Sequence, residues 1–208
     1  MGGFAAFFIE GGVWMLPIAA VSVVALAVAV ERIIALSAYN TDGKALFGKV
    51  SAALQKHQDA EAIRACEQTG RSALGHVLKN VVVHADKGDE SVATAVEEGM
   101  LEVSPGLLKR TGSLAGWASL ATLLGLLGTV MGLIEAFRVV AEAPADQKSA
   151  LLTKSIAVAM NTTAFGLLVA IPASIILLIL MGVTKKIQDD MDLYSLKLEV
   201  LLKNRKRA

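Results

Sequence analysis

A run of thirty residues, from Ser155 to Thr184, contains no charged side chain. About 20 apolar residues are enough to cross the hydrocarbon core of a bilayer as a helix, so this run predicts a membrane span that continues beyond the core. Its polar groups are concentrated in the triplet Asn161-Thr162-Thr163. Because amides and hydroxyls are unfavourable in lipid, we expect them to face protein or water. Polar groups without a carboxylate or an amine suggest the wall of an ion path rather than its charged carrier.

Two more uncharged blocks each have the length of one span, Gly11 to Val30 and Thr111 to Ile134. The composition agrees, because 54% hydrophobic residues and a mean hydropathy of +0.58 exceed what is usual for a soluble domain. Residues 1–31 contain no Lys or Arg, so the basic start of a signal peptide is missing and the first block is expected to be a retained helix. The sequence therefore predicts an all-α, polytopic membrane protein with three transmembrane helices.

The distribution of basic residues predicts the orientation of the spans. The segment before the first span has no Lys or Arg, and the connection from Glu135 to Lys154 has three of the 20. The others lie in residues 32–110 and from Lys185 onward, so the positive-inside rule places those regions in the cytoplasm and the N-terminus outside. The predicted segments are the N-terminus with the first span, a cytoplasmic helical domain, the second span, a short outer connection, the third span, and a cytoplasmic C-terminal helix with a basic tail: 1–36, 37–110, 111–137, 138–152, 153–184 and 185–208.

The segment between the first two spans predicts about three helices. Helix breakers occur at Thr41-Asp42-Gly43, Thr69-Gly70 and Lys87-Gly88-Asp89, and the apolar residues between them recur at helical spacing. We expect the last helix, from Asp89, to run into the second span and to be bent or interrupted at Pro105-Gly106.

The C-terminal segment carries a coiled-coil-like seam. Its apolar residues follow alternating steps of four and three: Ile187, Met191, Tyr194, Leu198 and Leu201. Because the seam covers only about two heptads, it could pair between subunits or pack on the cytoplasmic helices of the same chain.

Small residues mark one face of the second span and one face of the third. The second span has glycines spaced by three and four: Gly125, Gly128 and Gly132. Thr129 borders these glycines, while the third span has Gly166 on a small face, Thr163 at its flank, and Pro172, which removes one backbone hydrogen bond. Small faces let helices approach closely in membranes. Plain helix packing would explain this pattern, with each threonine bonded to its own helix; alternatively, Thr129 and Thr163 face each other across a pore.

Together, the two spans resemble a known family. Residues 123–137 read LLGLLGTVMGLIEAF and residues 160–173 read MNTTAFGLLVAIPA. This pair, in this order, is similar to the paired signature of the MotA/TolQ/ExbB proton-channel family. The three-span layout is closest to the ExbB and TolQ branches, and the resemblance extends over most of the chain.

The resemblance implies an ion-driven motor in the bacterial inner membrane. In this family several copies, typically five, surround the single transmembrane helices of partners of the ExbD/TolR/MotB type, whose aspartate takes up and releases protons. The threonines that line the pore in the family correspond to Thr129 and Thr163, and Asn161 and Thr162 are further candidates for the proton pathway. Such motors drive transport across the outer membrane, envelope maintenance or gliding motility.

The third span departs from the family pattern at Val158. Many ExbB- and TolQ-like members have a Glu-Ala pair several residues before the threonine, where this chain has Val158-Ala159. None of the three uncharged blocks contains Asp, Glu, His, Lys or Arg. The chain can therefore wall a proton path but supplies no carboxylate to it, which predicts an obligatory partner.

The remaining polar residues give weaker signals. Glu135 and Arg138, one turn apart at the outer end of the second span, could pair with each other or funnel ions at the outer mouth. The single cysteine, Cys66, excludes an internal disulfide and is expected to be a small buried residue. The three histidines lack the spacing of metal ligands: His57, His76 and His84.

Several function classes are disfavoured by the sequence. It has no phosphate-binding glycine loop, no HExxH motif and no nucleophile motif, so an enzyme, a cofactor and a bound metal are not expected. A net charge of +1 gives no reason to expect nucleic-acid binding. The alternative to a proton-channel subunit in a phospholipid membrane is a passive oligomeric scaffold, whose Gly and Ala faces only assemble copies.

Overall fold

The computed structural model describes residues 11–85 and 89–207. These residues form helices and no strand, and the helices are α1 (Met15–Tyr39), α2 (Gly43–Gln55), α3 (Asp59–Glu67), α4 (Ala73–His84), α5 (Asp89–Leu108), α6 (Thr111–Glu142) and α7 (Lys148–Arg207). Three helical regions are long and apolar enough to cross a membrane, within Met15–Gln55, Ser91–Glu142 and Lys148–Arg205. The prediction of an all-helical chain with three such helices is confirmed.

The chain divides into two compact units. Within the described residues, the first unit comprises residues 11–30 and 112–178, and the second comprises residues 31–111 and 179–207. The first unit contains most of the uncharged blocks. The second contains the short helices α2 to α5 and the C-terminal part of α7.

A small apolar cluster holds the first unit together. Met15 and Ile18 of α1 pack with Phe165 of α7, and Leu124 of α6 lies against this cluster. Most other buried apolar residues of this unit are alanines, glycines lie where its helices approach closely, and large apolar side chains such as Leu126 are exposed. Close packing of small residues with outward-facing large ones suits helices that pack in lipid.

The second unit buries the apolar faces of its short helices. Asp42 caps α2 by accepting a hydrogen bond from the backbone N–H of Ala45 at 3.1 Å, and Ser72 caps α4 through the N–H of Gly75 at 3.2 Å. Buried apolar residues from several helices fill its interior: Leu36, Leu46, Val50, Leu54, Val77, Leu78, Val81, Leu107 and Leu198.

The described residues between 43 and 108 form four helices, where about three were predicted. The missed break separates α2 from α3 and includes His57, whose φ of 57° lies in the left-handed region. This conformation is uncommon for residues other than glycine. The break contains neither Gly nor Pro, so the sequence gives no sign of it. The predicted breaker at Lys87-Gly88 lies outside the described residues.

The interruption between α5 and α6 lies at Lys109-Arg110 rather than at Pro105-Gly106. Helix α5 continues through Pro105 to Leu108, and Arg110 then adopts a φ of 55°. Near the end of α5, the backbone carbonyl oxygens of Gly106 and Leu107 accept hydrogen bonds from the side chain of Arg32 on α1.

The seam on the C-terminal part of α7 is buried within the same chain, but it differs from the prediction: Leu201, like Tyr194, is only half-buried, and Ser195 and Leu202 are buried instead. Its buried positions follow steps of four, four, three and four: Ile187, Met191, Ser195, Leu198 and Leu202. This spacing approaches an eleven-residue repeat, which suits a nearly straight helix better than a strict heptad does. Tyr194 is half-buried, and its ring lies 5.4 Å from that of Phe47 on α2. Packing on the chain's own helices therefore accounts for the seam.

Candidate functional site

Helices α6 and α7 approach each other so closely that glycine is required at the contact. A β-carbon added at Gly166 would lie 2.6 Å from the carbonyl oxygen of Ala121, and one added at Gly125 would lie 3.2 Å from the carbonyl oxygen of Thr162. At Gly132, an added β-carbon would lie 2.8 Å from the β-carbon of Ala159. Real β-carbons essentially never lie within 3.0 Å of another heavy atom, and 3.2 Å is tighter than most of their contacts, so the two helices are packed closely along this face.

This close approach brings Thr129 and Thr163 together. Their hydroxyl oxygens lie 3.0 Å apart, although the residues are 34 positions apart in the chain. Thr163 donates its hydroxyl hydrogen across the contact to the carbonyl oxygen of Gly125, at 2.9 Å. Thr129 bonds within its own helix, 2.7 Å from the carbonyl oxygen of Leu126. Thr163 therefore differs from a threonine bonded only to its own helix, because its hydroxyl binds the neighbouring helix.

The pair can still accept hydrogen bonds. Each hydroxyl carries one hydrogen and two acceptor sites. When Thr129 donates to Leu126, Thr163 donates either to Gly125 or to Thr129, so the two oxygens together keep unused acceptor sites. Both residues are half-buried, which leaves these sites within reach of a small polar group. The arrangement can hold a water molecule or the O–H of a carboxylic acid.

The other two members of the polar triplet lie in different surroundings. Thr162 is only 2% exposed and bonds to the carbonyl oxygen of Ala159 at 2.7 Å. Its hydroxyl occupies the space beside Gly128, where an added β-carbon would lie 2.7 Å from the Thr162 oxygen. Asn161 is half-buried, and its side-chain amide makes no hydrogen bond to the described residues. Thr162 is thus part of the helix contact, while Asn161 has an amide available for another group.

Pro172 lies beside a small apolar cleft between α1 and α7. The cleft has a volume of about 220 Å³ and includes Ser22, Ala25 and Ala29 of α1. Helix α7 runs through Pro172 without ending. Val158, where relatives often carry glutamate, is half-buried.

Two charged residues, Glu135 and Arg138, follow the second uncharged block on α6. Arg138 and Glu135 lie 3.7 Å apart on the last turns of α6, and both side chains are largely exposed. They pair with each other, which was one of the two predicted roles, the other being to funnel ions at the outer mouth. The long separation and the exposure make it a weak ion pair.

A buried arginine near the end of the first uncharged block was missed by sequence reasoning. Arg32 is 2% exposed, and its Nη2 atom donates to the carbonyl oxygens of Gly106 and Leu107, at 3.1 and 2.8 Å. The last carbonyl groups of a helix lack partners within the helix, and a cation there is favourable for the helix dipole. Next to it, Glu31 pairs with Arg110 at 2.6 Å. The available signal was the Glu31-Arg32 pair placed immediately after an apolar block.

Cys66 is buried and His76 pairs with a carboxylate. Cys66 is buried, as expected, and desolvation by burial raises the pKa of its thiol from 9.0 to about 11. His76 lies 2.6 Å from a carboxylate oxygen of Glu102. Among the residues that the structure describes, no group of three or more His, Cys, Asp or Glu side chains could hold a metal ion.

Comparisons with known proteins agree with the resemblance in the two spans. The sequence profile of the MotA/TolQ/ExbB proton channel family matches residues 50–193. Over 54 residues the chain is 52% identical to biopolymer transport protein exbB1 of Vibrio cholerae serotype O1, a stretch that covers 26% of this chain and 24% of that protein. Over 197 residues it is 26% identical to a biopolymer transport protein ExbB homologue of Methanothermobacter thermautotrophicus, covering 94% of this chain and 67% of that protein. The chain thus aligns with about a quarter of the length of the Vibrio protein and with about two thirds of the length of the Methanothermobacter protein.

Proposed function

The chain belongs to the MotA/TolQ/ExbB proton channel family, and from this premise we propose that it is the pore-forming subunit of a proton-driven motor. It is a multi-pass membrane protein and not an enzyme. In the proposed role, protons pass along α6 and α7, and their movement is converted into mechanical work by a partner chain.

The observation that carries this proposal is the contact between Thr129 and Thr163. It places two hydroxyl groups side by side within the uncharged stretches of α6 and α7, with unused acceptor sites. Helix packing needs only small residues, and the glycines already supply it. A hydroxyl pair that binds across the helices adds a site for a proton-carrying group.

The proposed proton carrier belongs to a partner. A proton crossing low-dielectric protein needs a titratable group or a continuous file of water, and the uncharged blocks contain no titratable side chain. Membership of this family implies partners of the ExbD/TolR type. We assign the carrier to an aspartate on the single transmembrane helix of such a partner. In this scheme Asn161 offers its amide to the same polar path, whereas Thr162 serves helix packing.

The assembly is proposed to be a ring of five copies around the partner helices. We place it in a bacterial inner membrane with the N-terminus in the periplasm and the C-terminus in the cytoplasm, following the excess of Lys and Arg in residues 32–110 and after Lys185. Both relatives are named as biopolymer transport proteins or homologues of one. Their names favour the transport of a biopolymer over envelope maintenance and gliding as the process driven.

Removing one hydroxyl at a time tests the proposal. Thr129→Val and Thr163→Val keep the side-chain volume nearly constant, so the oligomer should assemble while proton uptake into membrane vesicles that contain the whole complex falls at least tenfold. Ser22→Ala is the matched control, because the Ser22 hydroxyl bonds only to Ala19 of its own helix, at 2.7 Å. It should leave proton uptake unchanged.

The same measurements separate a motor from a passive scaffold. A scaffold would assemble normally in all three variants and would show no proton uptake in the unmodified complex. Full uptake in both threonine variants would show that the hydroxyl pair has no role in conduction.

A further inference from the structure

The backbone carbonyl oxygen of Gly125 on α6 lies within reach of three threonine hydroxyl groups. The hydroxyl oxygen of Thr163 lies 2.9 Å from it, that of Thr129 lies 3.3 Å from it, and that of Thr162 lies 3.5 Å from it. A carbonyl oxygen has two acceptor sites, and within an α-helix one of them accepts the backbone N–H of the residue four positions later. The three hydroxyl groups therefore share one remaining acceptor site.

Packing explains the position of Thr162 but not its hydroxyl group. The side chain is 2% exposed and fills the space beside Gly128. Valine would fill a similar volume without a polar group that has to be paired when it is buried. The Thr162 hydroxyl oxygen lies 2.7 Å from the carbonyl oxygen of Ala159 on its own helix, so its hydrogen can be shared between that oxygen and the one of Gly125.

In this arrangement each of the three hydroxyl hydrogens is donated to a backbone carbonyl oxygen. Thr129 and Thr162 each lie 2.7 Å from a carbonyl oxygen of their own helix, and Thr163 lies 2.9 Å from that of Gly125 on the neighbouring helix. With all three hydrogens donated, the cluster offers only acceptor sites. It can bind the O–H of a carboxylic acid, but a carboxylate accepts hydrogen bonds only and needs one of these hydrogens.

Thr163 is the hydroxyl group whose hydrogen is most easily replaced at its acceptor. Among the described residues, the carbonyl oxygens that bind Thr129 and Thr162 within their own helices each have one hydroxyl group in reach, whereas that of Gly125 has three. When Thr163 turns its hydrogen away, another hydroxyl can donate to Gly125 in its place. The rearrangement therefore exchanges one hydrogen bond for another.

We infer that Thr162 is a positioning residue that supplies a replacement hydrogen to Gly125, so that Thr163 can donate its own to the carboxylate form of the partner's proton carrier. The inference rests on the proposed function and adds how one site binds the carrier in both protonation states. Thr162 is enclosed in the helix contact and acts through Thr163. The three uncharged blocks, which belong to α1, α6 and α7, contain no Asp, Glu, His, Lys or Arg that would compete with the hydroxyl groups for the carboxylate.

Two substitutions at Thr162 separate its hydroxyl group from its packing. Thr162→Val removes the hydroxyl and keeps the volume, whereas Thr162→Ser keeps the hydroxyl and removes a methyl group. In membrane vesicles that contain the whole complex, Thr162→Val should lower maximal proton uptake several-fold. It should also move the pH of half-maximal uptake upward by about 0.5–1 unit, because loss of a donor to the charged form favours the protonated carrier. Thr162→Ser should restore both values.

A threonine that serves packing alone gives the reverse order. Thr162→Val would then behave like the unmodified complex, while Thr162→Ser would weaken the assembly without moving the pH of half-maximal uptake, and this result would overturn the inference. Thr122→Val is the matched control on α6, because the Thr122 hydroxyl bonds to Ala118 of its own helix, at 3.2 Å. It should leave the pH dependence unchanged.

Combined variants distinguish failure of this inference from failure of the proposed function. Because Thr162 acts through Thr163, adding Thr162→Val to Thr163→Val should slow uptake no further than Thr163→Val alone, and additive losses would overturn the inference. An unchanged pH dependence in Thr162→Val, with uptake lost in Thr163→Val, would reject the inference and leave the proposed function standing. Full uptake in Thr163→Val would reject the role of the hydroxyl pair, and the inference with it.

Discussion

Thr163 on α7 donates its hydroxyl hydrogen to the carbonyl oxygen of Gly125 on α6, at 2.9 Å. Neither the bond nor the adjacent hydroxyl contact with Thr129 could form if the helices were separated by side chains. The polar pair therefore depends on the glycines beside it as much as on the threonines themselves.

Replacing Gly166 should weaken this helix contact. A β-carbon in Gly166→Ala would meet the carbonyl oxygen of Ala121 at 2.6 Å, so the backbones must move apart, and we expect the free energy of unfolding to fall by about 1–3 kcal/mol. Gly116→Ala is the matched control on α6, since an added β-carbon there meets nothing within 4 Å. Its unfolding free energy should stay constant or rise by up to about 1 kcal/mol. Unfolding in detergent measures both, and equal stability of the two variants would contradict the close contact.

Removing the buried arginine should destabilise the second unit. Arg32→Ala leaves the carbonyl groups of Gly106 and Leu107 without their donor, and we expect a loss of about 1.5–3 kcal/mol in unfolding free energy. Arg32→Lys should lose less, because it keeps the charge but not the planar fork of donors.

The control for Arg32 is an exposed cation. Lys79 pairs with Glu67 at 2.7 Å on the surface, so Lys79→Ala should change the unfolding free energy by no more than about 1 kcal/mol. If Arg32→Ala were no more harmful than Lys79→Ala, the guanidinium would not anchor the end of α5.

The thiol of Cys66 should be protected from alkylation in the folded protein. Burial raises its pKa to about 11, so at pH 8 only about one thiol in a thousand is the reactive thiolate. We expect maleimide labelling to be slow in the folded protein and at least tenfold faster after unfolding, as measured by mass spectrometry.

The raised pKa of Cys66 also affects stability at high pH. The unfolded thiol ionises from its ordinary pKa of 9.0, while the folded thiol stays protonated up to about 11. The stabilising contribution is therefore fully present below pH 9 and is lost as the pH rises through 11. Cys66→Ala should lack this dependence, and an identical profile for both proteins between pH 9 and 11 would contradict the burial of the thiol.

The outer pair should contribute little to stability. Glu135 and Arg138 are 3.7 Å apart and exposed, so Glu135→Gln and Arg138→Gln should each stay within about 0.5 kcal/mol of the unmodified protein. Thermal unfolding provides the measurement. If proton uptake falls in these variants without a change in stability, the charges act on ions at the outer mouth.

The sequence predicted the spans and the small-residue faces because both depend on local patterns. It left open whether Thr129 and Thr163 bond to their own helices or face each other across a pore, and in the structure their hydroxyl oxygens are in direct contact at 3.0 Å. An uncharged run has no stable place in water, and glycines spaced by three and four share one helix face whatever surrounds them. The paired motifs also predicted the family correctly. By contrast, the break at His57 and the end of α5 depend on contacts and backbone angles that no local signal marks.

The amino-acid sequence by itself determined that this chain is helical, that three of its helices can cross a membrane, and that the uncharged blocks within these helices contain no Asp, Glu, His, Lys or Arg. These properties follow from composition and spacing along the chain. Only the tertiary structure decided that Thr163 binds across to α6, that Thr162 is enclosed in the helix contact, and that Arg32 holds the end of α5. These relationships join residues 34 or more positions apart, and they depend on how closely two backbones approach, which local spacing does not specify.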